Sequence, residues 1–581
     1  MPTSLPRSLL RYLPFAPSTT PLQALTYLLG ISLFSISFLV FLNSSVSFVI
    51  TDLIGQKKGV GNVVGTLGFA DEIIALIACP AWGLVSDRLG VRWVAVMGYS
   101  IIGVSLALFV QARAVYPQLL LARILFAVGA SASATMVTAI LPSVTDDSST
   151  DDEDAQSRFK ALQTARNSVA FSVESELTIT PERYTQSVST DREPEDENER
   201  AGRPSKLAGF VGVFTGCGAL VALTLFLPLP VSFGEIEGVT PAEAVSYSFY
   251  VVSAVAFIVA VFVAFGLRDL KGEEGKGWHV LFGSHNEFES RSNFGVQTQK
   301  PKLVPYLNLM KDSVLLGYSD SRIAIGYLGG FVARASSVAI SLFIPLFVNT
   351  YFINNGFCKG SPNDPSPELK EECRAAYVLS SILTGVAQLM GLMCAPVFGY
   401  LSSRPGRINW PIVVSTVLGI VGYIIFPQLV SPEIKNVEGR GGSPIIFLVV
   451  TFLGISQIGA IVCSLGSLGR GVLAVDIPRT AHRPPSLDPD EDEDAEEDAP
   501  LMSIDSEYES ASRIRLKGSI AGVYSLCGGV AILLLTKLGG YLFDKLSYGA
   551  PFYMMAIFNA ILLAASLGMD ASQAFARRVR S

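Results

Sequence analysis

Histidine is nearly absent: 581 residues contain three, His279, His285 and His482, all in polar stretches. None stands at a zinc-site spacing from Cys or a carboxylate, so no metal and no cofactor are expected. No residues are set out as a hydrolase triad and no glycine-rich loop would cradle a phosphate, which argues against an enzyme and against direct use of nucleotide. Charge is scarce too. Asp, Glu, Lys and Arg make up 16% of the chain against 50% hydrophobic residues, with a mean hydropathy of +0.45, a balance that soluble multidomain proteins rarely reach. The net charge of -7 arises largely in two acidic stretches, and nothing supports nucleic-acid binding. Seven cysteines are too few for a disulfide framework. Cys79, Cys217, Cys394, Cys463 and Cys527 fall in apolar runs, where Cys acts as a small hydrophobe.

Long apolar runs are abundant instead. A bilayer-spanning helix takes about 20 apolar residues, and such runs occur at 25–50, 63–85, 93–110, 119–141, 207–229, 247–267, 323–347, 377–401, 412–429, 445–468, 520–542 and 552–567. The first is too long for a signal-peptide core and has no small-residue cleavage pattern after it, so it reads as a retained helix. These runs predict an all-α membrane protein of twelve transmembrane helices in two six-helix halves, residues 1–268 and 321–581.

Three polar segments interrupt the pattern: 146–205 in the first half, the linker 269–320, and 472–517 in the second half. They are rich in Asp, Glu, Ser, Pro and Gly, bury too little apolar area to offset ordering entropy, and are expected to be mostly disordered. The first and third fall at corresponding places in the two halves, as a duplicated architecture requires. Lys and Arg in the short loops (Arg88, Arg92, Arg268, Lys271, Arg404, Arg407) lie on one side, which places that side and both termini in the cytoplasm. Lys57 and Lys58 are the main exceptions. Cys358 and Cys373 flank a polar loop on the other side. They are either free thiols or a bridge, which would contribute about 3 kcal/mol in the chain-entropy model.

Between the second and third runs lies Gly83-Leu84-Val85-Ser86-Asp87-Arg88-Leu89-Gly90-Val91-Arg92. Gly83 would let another helix come close. Asp87 would precede the third helix, whose N-terminal dipole favours a carboxylate, and Arg88 and Arg92 could pair with it. This loop resembles the signature loop of the major facilitator superfamily, although Val91 replaces a usual basic residue. The resemblance implies the major facilitator fold, a substrate site between the halves near mid-membrane, and a gating role in stabilising the outward-facing state for Gly83, Asp87, Arg88, Gly90 and Arg92. A weaker copy, Gly399-Tyr400-Leu401-Ser402-Ser403-Arg404, follows the eighth run with Ser403 where Asp87 stands. Arg123 and Gly129 partly match the helix-four motif of the drug:proton antiporter-like branch, whereas Phe126 and Ala127 depart from it and no Gly-Pro pair follows Gly209, Gly212, Gly216 and Gly218.

Ionisable residues at membrane depth cost about 2.5 to 3.5 kcal/mol each on insertion scales, so each is a functional candidate. Asp71 and Glu72 lie in helix two and Arg123 at comparable depth in helix four. One acid could pair with Arg123 while the other takes up protons; a purely structural ion pair is the alternative. Arg334, mid-way along helix seven, lacks an acid in its own half and is the first candidate for substrate contact, with Gln388, Tyr327, Asn43 and Gln457 as further cavity residues. Glu497-Asp498-Ala499-Pro500-Leu501-Met502 is similar to an acidic dileucine sorting signal, which points to a vacuolar or endolysosomal membrane; a solvated acidic loop at the plasma membrane is the other reading. Together these features predict a monomeric, lipid-embedded, proton-coupled carrier of a small organic solute working by alternating access. A proton-coupled organic anion importer and a non-transporting nutrient sensor on the same fold are the competing readings.

Overall fold

The computed structural model describes residues 13–56, 60–146, 194–270, 273, 276–278, 306–356, 374–404, 409–437, 439–473 and 516–580. Among them every regular element is helical, and twelve helices are long and apolar enough to cross a bilayer. They are α1 (Pro21–Leu53), α2 (Val63–Leu89), α3 (Val91–Phe109), α4 (Val115–Thr145), α5 (Gly202–Gly234), α6 (Pro241–Gly266), α7 (Ser321–Asn354), α8 (Val378–Ser403), α9 (Trp410–Gln428), α10 (Ile445–Val472), α11 (Lys517–Lys545) and α12 (Ala550–Ser572).

Local signals fix several of their starts. Thr20 and Thr240 each form a capping box, with Gln23 and Glu243 respectively, and each is followed by a proline at the first helical position, where the missing N–H costs nothing. Asp320 caps α7 by accepting from Arg322 N at 2.8 Å. Gly90, at φ +99°, makes the break between α2 and α3 in a backbone conformation that a Cβ would strain.

Within each bundle the seams are made by small residues and aromatic clusters. Gly98 and Gly129 bring α3 and α4 together, a Cβ on Gly129 reaching within 2.8 Å of Gly98 O. Phe38, Phe41, Phe226 and Phe249 pack ring against ring at centroid distances of 5.0–6.2 Å in the first bundle, and Phe347, Phe426 and Phe552 at 4.8–5.8 Å in the second. Thr19 Oγ1 donates to Val144 O at the end of α4, and Asp570 accepts from Asn409 N before α9, so Thr19 and Asp570 both lie at the end that carries Asp87.

The polar segments depart from expectation where they are described. Helix begins at Pro194, inside 146–205, and runs unbroken into α5. Tyr306–Ser319 in the linker is a helix, whose Ser313 O accepts from Tyr327 of α7. Glu273 and Lys276 of the linker are ordered against α3 and α11, and Lys517, read as the end of a loop, is a buried residue of α11. Cys358, Cys373, the three histidines, Lys57, Lys58 and residues 497–502 lie outside the described residues.

Candidate functional site

At about 1.5 Å per residue, Asp71 and Glu72 lie about 22–24 Å along α2 from Asp87. Asp71 pairs with Arg123 of α4: Nε donates to Oδ2 at 2.7 Å and Nη2 also touches Oδ2. Arg123 Nη2 further donates to Asn43 Oδ1 of α1 at 2.5 Å. The Arg123 side chain is only 4% exposed, so Asp71 offsets a charge that would otherwise be stranded at mid-depth. The set is incompletely satisfied, since Asp71 Oδ1 and Arg123 Nη1 are buried without a hydrogen-bond partner among the described residues. Glu72, the next residue, makes no hydrogen bond among the described residues and lies within Coulombic range of Arg334 as well as of Asp71 and Arg123.

Arg334 reaches this level from the second bundle. Its stem lies on Gly528 of α11, where a Cβ would sit 2.7 Å from Cγ, and its head is exposed. Next to it runs a polar chain across three helices: Gln388 of α8 donates to Gln457 of α10 at 3.3 Å, which donates to Ser337 Oγ of α7 at 2.9 Å. Ser336 meets the Tyr423 hydroxyl of α9. Asn43, Arg334 and Gln388 are all exposed. Tyr327 is elsewhere. Its hydroxyl donates to Ser313 O at 3.1 Å and its ring lies on Gly317, so it holds the helix Tyr306–Ser319 against α7 and does not join the polar set.

Below these residues, towards Asp87, the bundles are in contact. A Cβ on Gly83 would collide with Gly518 O and stand 3.0 Å from Gly522 Cα; further along the pair, one on Gly529 would be 3.0 Å from Leu76. On the other side α5 and α8 meet in the same manner, from Gly209 against Gly399 Cα (3.0 Å) to Gly216 against Leu392 (2.6 Å). Glu72 and Gln388 lie one helical turn beyond Leu76 and Leu392, so the seal ends where the polar residues begin. Past them, Lys537 of α11 reaches over the Phe69 ring of α2 at 3.9 Å.

The signature loop closes this seal by a route that sequence did not reveal. Asp87 ends α2 and caps α11 of the other bundle, not α3: Oδ1 accepts from Gly518 N at 2.8 Å, Oδ2 from Ser519 N at 2.7 Å, and Ser519 Oγ donates to it as well. A carboxylate on the first amides of a helix meets both orphan donors and the positive end of the dipole. The start of α3 is capped by Glu273, which accepts from Val91 N at 2.7 Å. Glu273 also pairs at 2.5 Å with Lys517, whose side chain is fully buried and also meets Ser143 of α4. Arg92 lies over the Trp93 ring at 4.9 Å and does not pair with Asp87. Arg88 O accepts from Gly277 N at 3.0 Å, tying the linker to the loop. Glu273, Lys517, Gly518 and Ser519 were not among the sequence candidates, because they fall in or beside segments whose composition reads as loop.

Among the described residues the second copy has no such lock. Ser403 donates to Tyr400 O at 2.7 Å in its own turn and faces Gly202 of α5. Because that helix already runs from Pro194, the amides near Gly202 are bonded within it and offer an acid nothing to cap. Among the described residues no group of three His, Cys, Asp or Glu could hold a metal ion.

By sequence, residues 33–150 match the Major Facilitator Superfamily, a stretch that includes the signature loop and Arg123; no curated protein matches. By structure, the chain resembles the fucose:proton symporter of E. coli, with TM-score 0.51 at 11% identity over 94% of this chain and 98% of that one. A proton:xylose symporter gives TM-score 0.50 at 11% identity over 93% and 94%. A human organic anion transporter gives 0.50 at 11% over 94% and 100%. The chain has the major facilitator fold.

Proposed function

We propose that the chain is a secondary active carrier that moves a small organic solute across a membrane by alternating access, coupled to protons. The observation that carries this reading is the gathering of Asp71, Glu72 and Arg123 from one bundle and Arg334 and Gln388 from the other at mid-depth, directly beyond a seal of interdigitated glycines. Charged groups are expensive there and mark the solute and ion path. On this reading the Asp87 end is the cytoplasmic end, as its Lys and Arg residues favour, and the described state is closed to the cytoplasm.

Asp71 then serves as the fixed partner of Arg123, and Glu72, free of a hydrogen bond, carries the proton. Arg334, Gln388 and Asn43 contact the solute. The structural neighbours named above include two proton symporters, which favours symport over the antiport suggested by Arg123 and Gly129.

The test is flux in vesicles reconstituted with the purified chain, an acidic exterior and a pH-sensitive dye inside, across sugars, organic acids and amines. Proton entry that depends on one solute class is the expected result. Glu72→Gln should abolish the coupling and Asp71→Asn weaken it. Coupling retained in both variants would remove these acids from the proton path, whereas solute binding without any flux would make the chain a sensor.

A further inference from the structure

Glu72 and Arg334 are opposite charges brought to the same depth by different bundles, and the geometry leaves both unengaged. Neither makes a hydrogen bond or ion pair among the described residues, although each lies within Coulombic range of the other. The groups that face Glu72 are Asp71 on its own helix, Arg123 of α4 and Arg334 of α7, and Cys79 lies in the same field. Tyr524 of α11 lies near Arg334, and Lys537 stands further out, over Phe69.

Asp71 and Arg123 cancel as a contact pair. That leaves one carboxylate and one guanidinium from different bundles, with the hydrogen-bonded amide and hydroxyl groups of Gln388, Gln457 and Ser337 on the helices of the second bundle. A cavity in the middle of a bilayer tolerates little net charge. A guanidinium binds a carboxylate through paired N–H donors, but here it already feels the charge of Glu72.

Resting on the carrier reading above, we infer that the solute is an organic monoanion whose carboxylate binds Arg334, and that a proton on Glu72 is its obligatory companion. Loading replaces the charge of Glu72 by that of the solute. One proton enters onto a Glu72 oxygen, one anion settles on Arg334, and the summed charge of Glu72, Arg334 and the solute stays at zero. The loaded bundle can then close and reopen without carrying net charge, and an anion alone, facing ionised Glu72, is repelled. No covalent bond forms or breaks apart from the O–H bond on Glu72, whose proton leaves again on the other side.

The full chain in phosphatidylcholine vesicles tests this with pyruvate and gluconate as anions, pyruvamide and glucose as neutral counterparts, and ethanolamine as a cation. Uptake of an anion should rise with an inward proton gradient and stay unchanged when valinomycin and potassium set the membrane voltage. In detergent, the anion that is taken up should raise the melting temperature more at pH 5 than at pH 8. Glu72→Gln, a fixed neutral group, should bind that anion equally at both pH values and lose the response to the gradient. Arg334→Ala should lose about ten- to a hundred-fold in affinity, the loss expected for charged hydrogen bonds, and Arg334→Lys should recover part of it.

Uptake of glucose or ethanolamine with neither anion moving would overturn the anion assignment and leave the carrier standing. Anion binding through Arg334 with no flux of any solute would overturn the carrier reading and keep the site. A wild-type pH profile in Glu72→Gln, or wild-type affinity in Arg334→Ala, would refute the coupling.

Discussion

Asp87→Ala is the sharpest perturbation of the seal. The Asp87 carboxylate accepts two backbone amides at the start of α11, at 2.8 and 2.7 Å, and the Ser519 hydroxyl. Loss of an N-cap side chain costs about 0.5–2 kcal/mol, and leaving a buried donor unsatisfied costs about 1–3 kcal/mol. Two amides are stranded only when the bundles meet at this end; when they part, water reaches the amides. The whole penalty therefore falls on the closed state, about 2–4 kcal/mol in all, and shifts the closed-to-open ratio by a factor of about 30 to 1,000. Ser205 is fully buried in the α5–α8 seam and reports that shift. With the native cysteines replaced and Ser205→Cys introduced, alkylation by a polar maleimide in detergent should accelerate by that factor in Asp87→Ala, and by less in Asp87→Asn, whose amide oxygen still accepts one bond. An unchanged rate in both would refute the trans cap as a determinant of closure.

Lys517→Met should accelerate the same alkylation, because the Lys517–Glu273 pair at 2.5 Å exists only with the bundles closed; combined with Glu273→Gln the effect should fall short of the sum, since Glu273 then has no charge left unpaired. Gly83→Ala should block solute flux by driving a Cβ into Gly518 O, whereas Gly68→Ala, with open space around it, should leave flux unchanged within twofold. Ser403→Asp should hinder closure and lower the melting temperature, because the amides of the helix that begins at Pro194 are already bonded and the buried carboxylate finds no donor. Arg123→Gln should destabilise the protein by about 3–5 kcal/mol, the cost of breaking a buried pair, read as a fall in melting temperature that a second change, Asp71→Asn, partly reverses.

The twelve spans were legible because a run of about twenty apolar residues has few alternatives to a membrane helix, and depth along those helices was legible because their rise is fixed. That arithmetic put Asp71 and Arg123 at one level, where the structure joins them. The partners of Asp87 were not legible. Proximity to α3 in the chain made α3 the natural helix for it to cap, and the register of α11 against α2, which decides otherwise, is set by Gly83, Gly518 and Gly522 fitting together across the two bundles. Composition misled at Lys517 and Glu273, where polar residues next to acidic stretches read as solvated while the fold buries one and half-buries the other. Tyr327 shows the opposite failure: an aromatic on a membrane helix read as a cavity residue, yet a helix within the linker covers it. The spacing of Leu309, Ser313 and Leu316 at helical intervals was the available sign of that helix.

Glu273 belongs to the chain that leaves α6, yet it holds the first amide of α3 and the first side chain of α11 together. The stretch joining the bundles is therefore part of the machinery and not a leash. If the protein were produced as two polypeptides, the position of the break would decide its behaviour. A cut beyond Trp278 would leave the clasp anchored to the amino-terminal piece, and a cut just after Leu270 would set it loose at the front of the carboxy-terminal one.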